Sequence, residues 1–381
     1  VLSLGFRPFY LLAALYGAVA LPLWIVAYLG VAQPGAYLSG MGWHSHEMLF
    51  GFATAVIAGF LLTAVRNWTS LLTPTGMPLG GLAALWLLAR ALALSGPAAM
   101  AAITDVVFLP ALGVAIGVPI WRSRNRRNYK ILAVLAALAI LNLLYHLAQL
   151  GVVSAVPERT ALMGALDLIA ILMAVVGGRV IPAFTENALP SVRLRRVLPV
   201  EVAALGTLVL VLAAGLLRHW LPLPASAWVA LLALAAAAHG IRLMLWQPLQ
   251  TRRNALLWML PMAYTWIPAA LALRALSEAG EVSPIAATHA LTVGAMSGLM
   301  LAMMMRSALG HTGRPLTAGP VEITAFLLIQ AAAVVRVFPG IFWPQAYQLA
   351  AVASGILWSA AMVAFLSRYW FILSQPRLAQ S

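Results

Sequence analysis

Twelve long apolar runs, separated by short polar connections, set what this chain can fold into. They centre on residues 10–29, 44–65, 79–95, 98–121, 130–151, 160–181, 198–217, 225–246, 255–276, 284–306, 320–338 and 346–372. A transmembrane helix needs about 20 apolar residues, and each run approaches or exceeds that length; the third and eleventh are the shortest. The expected fold is all-α, a polytopic membrane protein of about 12 transmembrane helices. Composition agrees: 63% of residues are hydrophobic and 8% charged, against roughly 25% charge in soluble domains. No connection is long enough for a separate soluble domain, so a single transmembrane domain is expected over 1–381. The first run has Arg7 and Pro8 ahead of it and is long enough to stay as a span, so no cleaved signal is expected.

The formal net charge is +14, yet the basic residues lie in brief clusters between apolar runs, with no fold around them to form a groove. Nucleic acid is therefore excluded and the lipid bilayer is the expected partner. The chain has no cysteine, which excludes disulfides, thiolate metal sites and iron–sulfur clusters held by Cys. Any metal must be bound through His, Met or carboxylate.

Lys and Arg collect in cytoplasmic loops. With both termini cytoplasmic, the inner side receives Arg7, Arg66, Arg122, Arg124, Arg126, Arg127, Lys130, Arg179, Arg193, Arg195, Arg196, Arg242, Arg252, Arg253, Arg306, Arg314, Arg368 and Arg377, which is 18 of the 23 basic residues. Arg90, Arg159, Arg218, Arg274 and Arg336 fall outside. Runs 2, 6 and 10 each end in an arginine followed within six residues by a threonine: Arg66 and Thr69, Arg179 and Thr185, Arg306 and Thr312. Runs 2 and 10 are also followed by a T-G-x-P-L string, from Thr75 and from Thr312. Spacing by four suggests a quasi-threefold arrangement of four-helix units resembling haem-copper oxidase catalytic subunits; the alternative is chance, since Arg and Thr are common at helix ends.

In this orientation His44, His46 and Glu47 sit at the outer end of the second run, His146 near the outer end of the fifth and His289 just inside that of the tenth. At 1.5 Å rise per residue these four histidines can share one layer. His44 and His46 are rotated by about 200° on a helix, so one is expected as a ligand and the other as a cap or supporting group. His239 lies deeper in the eighth run, and His311, following the tenth, reads equally as a ligand or a cap. His219, beside Trp220, fits an interfacial residue and takes no role. Intramembrane ionisable groups are costly and point to function, and imidazole is the common ligand of haem iron, copper and zinc. Six candidate ligands, His44, His46, His146, His239, His289 and His311, in a thiol-free chain suit haem and copper. Met296, Met300, Met303, Met304 and Met305 are expected as packing.

Glu47, Asp105 and Asp167 are the candidate proton-handling groups, with pairing to a nearby arginine as the alternative for the two aspartates. Arg90, Arg274 and Arg336 lie several residues inside their apolar runs. Either they snorkel to headgroups or they hold anionic groups such as haem propionates.

The strings FRPFYLLAALYG, WHSHEMLFGFATAVIAGFLLTAVRNWT, GGRVIPAFTENAL and HALTVGAMSGLMLAMMMRSALGHTGRPL, spread from Phe6 to Leu316, resemble the NnrS family of bacterial inner-membrane proteins. The resemblance implies a protein that carries haem, of b type, and copper and serves the response to nitric oxide and nitrosative stress, often beside denitrification genes. It marks His44, His46, Glu47, His289 and His311 as motif positions, together with Arg179, Arg306 and Asn187; VRNW and MMMRSALG depart from the usual wording without removing a histidine.

Three functions remain open at this stage. One is a nitric oxide reductase-like oxidoreductase, drawing electrons from a quinol or a periplasmic donor. A second is a haem-based binder or sensor of nitric oxide without turnover. The third is a transporter of a metal or small solute.

Overall fold

The computed structural model describes residues 1–32, 35, 37–38, 40–221 and 223–378. Among these residues there is no strand, and twelve helices are long and apolar enough to cross a membrane. They are α1 (Phe6–Tyr28), α2 (Gly40–Thr69), α3 (Gly76–Ser95), α4 (Ala98–Arg122), α5 (Arg126–Gln149), α6 (Glu158–Ala188), α7 (Leu198–Leu217), α8 (Ala225–Leu245), α9 (Ala255–Glu278), α10 (Pro284–His311), α11 (Pro320–Phe342) and α12 (Pro344–Ser374). The chain is an integral membrane protein by this measure, and each apolar run corresponds to one helix. Helices overrun their apolar runs, as α2 does on both sides, because backbone pairing continues until a residue leaves helical space: Ser70 at φ +56° stops α2 and Gly313 at φ +73° follows α10.

Helix α9 is broken at Thr265, where Ala255–Tyr264 gives way to Trp266–Glu278. Pro268 explains the break, since it cannot donate to the Tyr264 carbonyl and its ring crowds that turn. Burial is uneven. The apolar window of α2 is 89% buried and those of α6 and α10 are 72% buried, more than any other, whereas that of α7 is 22% buried. The three most enclosed helices are thus spaced by four, and they are the three that end in Arg and Thr.

The packing divides into two compact units, one comprising Val1–Leu168, Ser307–Arg314 and Phe365–Ser381, the other Ile169–Arg306 and Pro315–Ala364. In the first unit α2 packs against α1, α3 and α4, and α5 packs on α4. Small residues let the helices close up: a Cβ on Gly59 of α2 would meet the Tyr10 ring of α1 at 2.9 Å. The end of α12 is capped by Arg7, whose guanidinium donates to the carbonyls of Leu373 at 2.8 Å and of Gln375. In the second unit α8 packs against α7 and α9, and α10 against α9 and α11.

Two helices change pitch. In α2 the α-helical turns Gly40–His46 pass into a wider π-helical segment, Glu47–Ala53, before α-helix resumes at Thr54. In α10 the same change follows His289, over Ala290–Ser297. Such segments recur at functional sites, because the extra residue re-aims side chains and leaves carbonyls to be satisfied by other groups. In α2 that work falls to Thr54, whose hydroxyl donates to Phe50 O at 2.5 Å, and to the Trp86 indole, which donates to Gly51 O at 3.1 Å.

Candidate metal centre

Five helices and one connection of the first unit deliver polar side chains to a single buried cluster. Helix α2 supplies His46 and Glu47 at the turn where it widens, α3 supplies Arg90 and α4 Asp105. Helix α5 supplies Asn142 and His146, four residues apart and so on one face. Tyr16 of α1 and Tyr37 close the two ends. His46 and Glu47 are fully buried, and Arg90, Asp105, Asn142 and His146 are at most 3% exposed.

The hydrogen bonds form a continuous chain. His46 Nδ1 is 3.0 Å from Glu47 Oε1, and its Nε2 is 3.1 Å from Asn142 Oδ1 and 3.3 Å from Asp105 Oδ2. His146 Nε2 is 3.0 Å from the same Asp105 oxygen, and its Nδ1 is 3.0 Å from the Tyr37 hydroxyl. Asn142 Nδ2 donates to Asp105 Oδ2 at 2.7 Å. Arg90 spans both carboxylates: Nη1 donates to Glu47 Oε1 at 2.6 Å and Nη2 pairs with Asp105 Oδ1. Tyr16 donates to the other oxygen of Glu47. Burial pushes the Tyr37 hydroxyl up to about 12, and its oxygen can accept from Nδ1–H of His146, the arrangement that leaves the Nε2 lone pair free for a ligand role.

His46 decides how this cluster can be used. With Nδ1–H donating to Glu47, its Nε2 lone pair points at two oxygens, which is unfavourable unless a cation lies between them. Two carboxylates against one guanidinium also leave a negative charge in excess. A proton on Nε2 relieves both problems, and so does a metal ion. The donor atoms of His46, Asp105 and His146 all lie within 4.8 Å of one another; ligands about 2.0–2.2 Å from a tetrahedral metal sit about 3.3 Å apart, close to the separations from Asp105 Oδ2. Glu47 then orients His46 as a carboxylate–histidine–metal relay does. Two imidazoles, one carboxylate and no thiolate suit copper, iron or zinc, with coordination positions left over.

The sequence model of the NnrS protein family matches residues 1–377. The chain belongs to the NnrS family. A comparison with curated proteins finds no match.

The remaining expected site residues of this NnrS-family chain are dispersed. His44 stacks on Trp24 with ring centroids 4.2 Å apart, so of the close pair it is His46 that enters the cluster. Asp167 is buried on α6, outside the metal-competent group. His311 lies against the Phe6 ring at 5.6 Å. In the second unit His239 has both nitrogens engaged, Nε2–H donating to Ala204 O at 2.9 Å and Nδ1 facing the Tyr264 hydroxyl at 2.7 Å. That hydroxyl also accepts from Arg242, which is held by both oxygens of Glu201 at 3.0 and 2.5 Å. His289 donates Nδ1–H to Ile285 O at 2.8 Å. Arg306 stacks on Phe184 at 4.0 Å, Arg274 on Trp228 at 5.3 Å and Arg336 on Tyr347 at 4.6 Å. Arg179 is part-buried on α6. Arg90, expected at an anionic cofactor, is engaged with Glu47 and Asp105.

Tyr16, Tyr37 and Asn142 went unseen in the sequence. Asn142 carried a signal, being an asparagine inside a leucine-rich run and four residues from His146.

Proposed function

We propose that this chain holds a transition-metal ion, copper by preference, between His46, His146 and Asp105, and that it uses the bound metal in the response to nitric oxide. The observation that carries the reading is the convergence of His46 Nε2 and His146 Nε2 on one buried oxygen, Asp105 Oδ2, at 3.3 and 3.0 Å. Family membership supplies the connection to nitric oxide, and haem is the second cofactor it implies. A copper or iron ion there would offer an open position at which nitric oxide binds and an electron to share with it.

The protein's own residues divide the remaining work. Glu47 orients His46, Arg90 bridges the two carboxylates, and Asn142 and Tyr37 hold Asp105 and His146 in place. Tyr16 and Glu47 form a path along which a proton can be held beside the site. For turnover, a quinol supplies the two electrons and two protons that convert two nitric oxide molecules to nitrous oxide and water.

The orientation belongs to the same proposal: both termini cytoplasmic in a bacterial inner membrane. Setting aside the buried arginines Arg7, Arg90, Arg242, Arg306 and Arg336 leaves the basic bias of the inner side intact. The reading is tested by adding nitric oxide to purified, reduced protein. We expect a spectral change that disappears in His46→Ala and His146→Ala; an identical change in both variants would remove nitric oxide from this site.

A further inference from the structure

In the first unit the chain beyond α12 returns to the turn that follows α10. The Leu378 amide donates to Thr312 O at 3.0 Å, and a Cβ on Gly313 would meet Leu378 O at 2.8 Å and Arg377 Cγ at 3.4 Å. The start of α1 is drawn to the same place, because Arg7 Nη1 donates to Leu373 O at 2.8 Å and to Gln375 O. Gln375 also holds Arg314, whose Nη2 donates to its Oε1 at 3.1 Å. Three guanidiniums from three separated stretches, Arg7, Arg314 and Arg377, thus meet at one short segment, 373–378.

No acidic side chain among the described residues of this unit balances them. The unit contains Glu47, Asp105, Glu158 and Asp167. Glu47 and Asp105 are held by Arg90. Glu158 and Asp167 lie in the first third of α6, which starts at the opposite face because successive spans alternate in direction. The helix ends supply partial charge only, roughly −0.5 at each of the C-termini of α10 and α12, against three full positive charges. Arg314 is close enough to Arg7 for the two to repel. Arg7 is 3% exposed, and its Nε and Arg314 Nη1 are both buried without an acceptor. Buried guanidinium N–H groups left unpaired cost free energy, and here they accompany an excess of positive charge, so the partner they call for is an anion.

We propose that Arg7, Arg314 and Arg377 bind a phosphate group, that of an anionic phospholipid or of a soluble phosphate, between the ends of α1, α10 and α12. Guanidinium forks match phosphate oxygens. A tetrahedral phosphate also presents oxygens in several directions, and so can take N–H groups from three chain segments where a planar carboxylate could face one fork. The depth favours a lipid as the source: all three helices end here, at the level where a spanning helix meets the headgroups, and basic pockets between helices at that level hold anionic headgroups. Leu373, Gln375 and their carbonyls hold the guanidiniums together against mutual repulsion and so keep them in place for the anion. The site goes beyond the metal reading and shares no residue with it.

The test uses delipidated full-length protein in detergent, with phosphatidylglycerol as the probe and native mass spectrometry to count bound lipid. Wild type is expected to bind the lipid saturably, at one per chain. Arg314→Gln with Arg377→Gln weakens binding about tenfold, the order of one hydrogen bond to a charged group. Arg252→Gln with Arg253→Gln, which removes the same charge from two exposed positions elsewhere, leaves it unchanged. Both double variants keep the thermal midpoint of lipid-free wild type, since Arg7 and its carbonyls are untouched. Excess inorganic phosphate separates the two sources: lipid that stays bound assigns the site to a headgroup, and lipid that is displaced assigns it to a soluble phosphate. Three results overturn the site: wild type that retains no lipid and whose thermal midpoint ignores inorganic phosphate, equal weakening in the two double variants, or wild-type affinity in Arg314→Gln with Arg377→Gln.

Discussion

Asp105 Oδ2 lies 3.3 Å from His46 Nε2 and 3.0 Å from His146 Nε2, so one oxygen of α4 joins an imidazole of α2 to an imidazole of α5. The same carboxylate is paired through its other oxygen with Arg90. Ion pairing and metal-ligand geometry thus converge on one residue, and they respond differently to substitution.

Arg90 is the only guanidinium of that cluster, and removing it leaves Glu47 and Asp105 buried without their counter-charge. Breaking a buried pair by deleting one partner costs about 3–5 kcal/mol. Arg90→Gln is expected to lower the thermal midpoint in detergent, and Arg90→Gln combined with Asp105→Asn to recover part of it. Additive losses in the double variant would contradict the pairing.

Glu47 acts on the metal through His46. Glu47→Gln keeps the side-chain shape and removes the charge that holds Nδ1–H, and loss of such a partner weakens metal binding about 10–100-fold. Competition with a chelator measures it; unchanged affinity would show that His46 is oriented by something other than Glu47.

His239 offers the converse. Both its nitrogens are committed to Ala204 and Tyr264, so His239→Ala is expected to leave copper and iron content at the wild-type level. It lowers the thermal midpoint instead, because the buried Tyr264 O–H loses the acceptor His239 Nδ1 offers it; an unpaired buried donor costs about 1–3 kcal/mol. Loss of metal without loss of stability would contradict this.

The natural absence of cysteine makes the orientation simple to measure. Cysteines at Ser123 and at His219 are expected to react with an impermeant thiol reagent from opposite faces of the membrane, with Ser123 shielded in intact cells. Labelling of both from outside would overturn the orientation.

The fold was legible because length and hydropathy alone specify a spanning helix, and no interior site can hide a run of some twenty apolar residues. The site was legible only in part. His46 and His146 stood out as imidazoles in apolar runs, yet depth in a helix does not say which helices touch. Asp105 therefore read either as a proton carrier or as the partner of a nearby arginine, and Arg90 either as a snorkelling residue or as a clamp for an anionic cofactor; that the two pair with each other needed the packing of α3 on α4. Tyr37 lies in a connection, where no periodicity announces a partner for His146. The π-helical turns are a matter of backbone pairing; their one trace in the sequence is the spacing from His46 to Gly51 and Thr54, which becomes visible when set beside that from His289 to Gly294 and Ser297.

The most direct test is the metal content of the purified chain beside that of a His46→Ala, His146→Ala double variant, read by elemental analysis and by electron paramagnetic resonance of the copper-loaded form. The account predicts a stoichiometric ion in wild type, with hyperfine structure from two imidazole nitrogens, and its loss from the double variant. A double variant that holds as much metal, with the same nitrogen couplings, would contradict it.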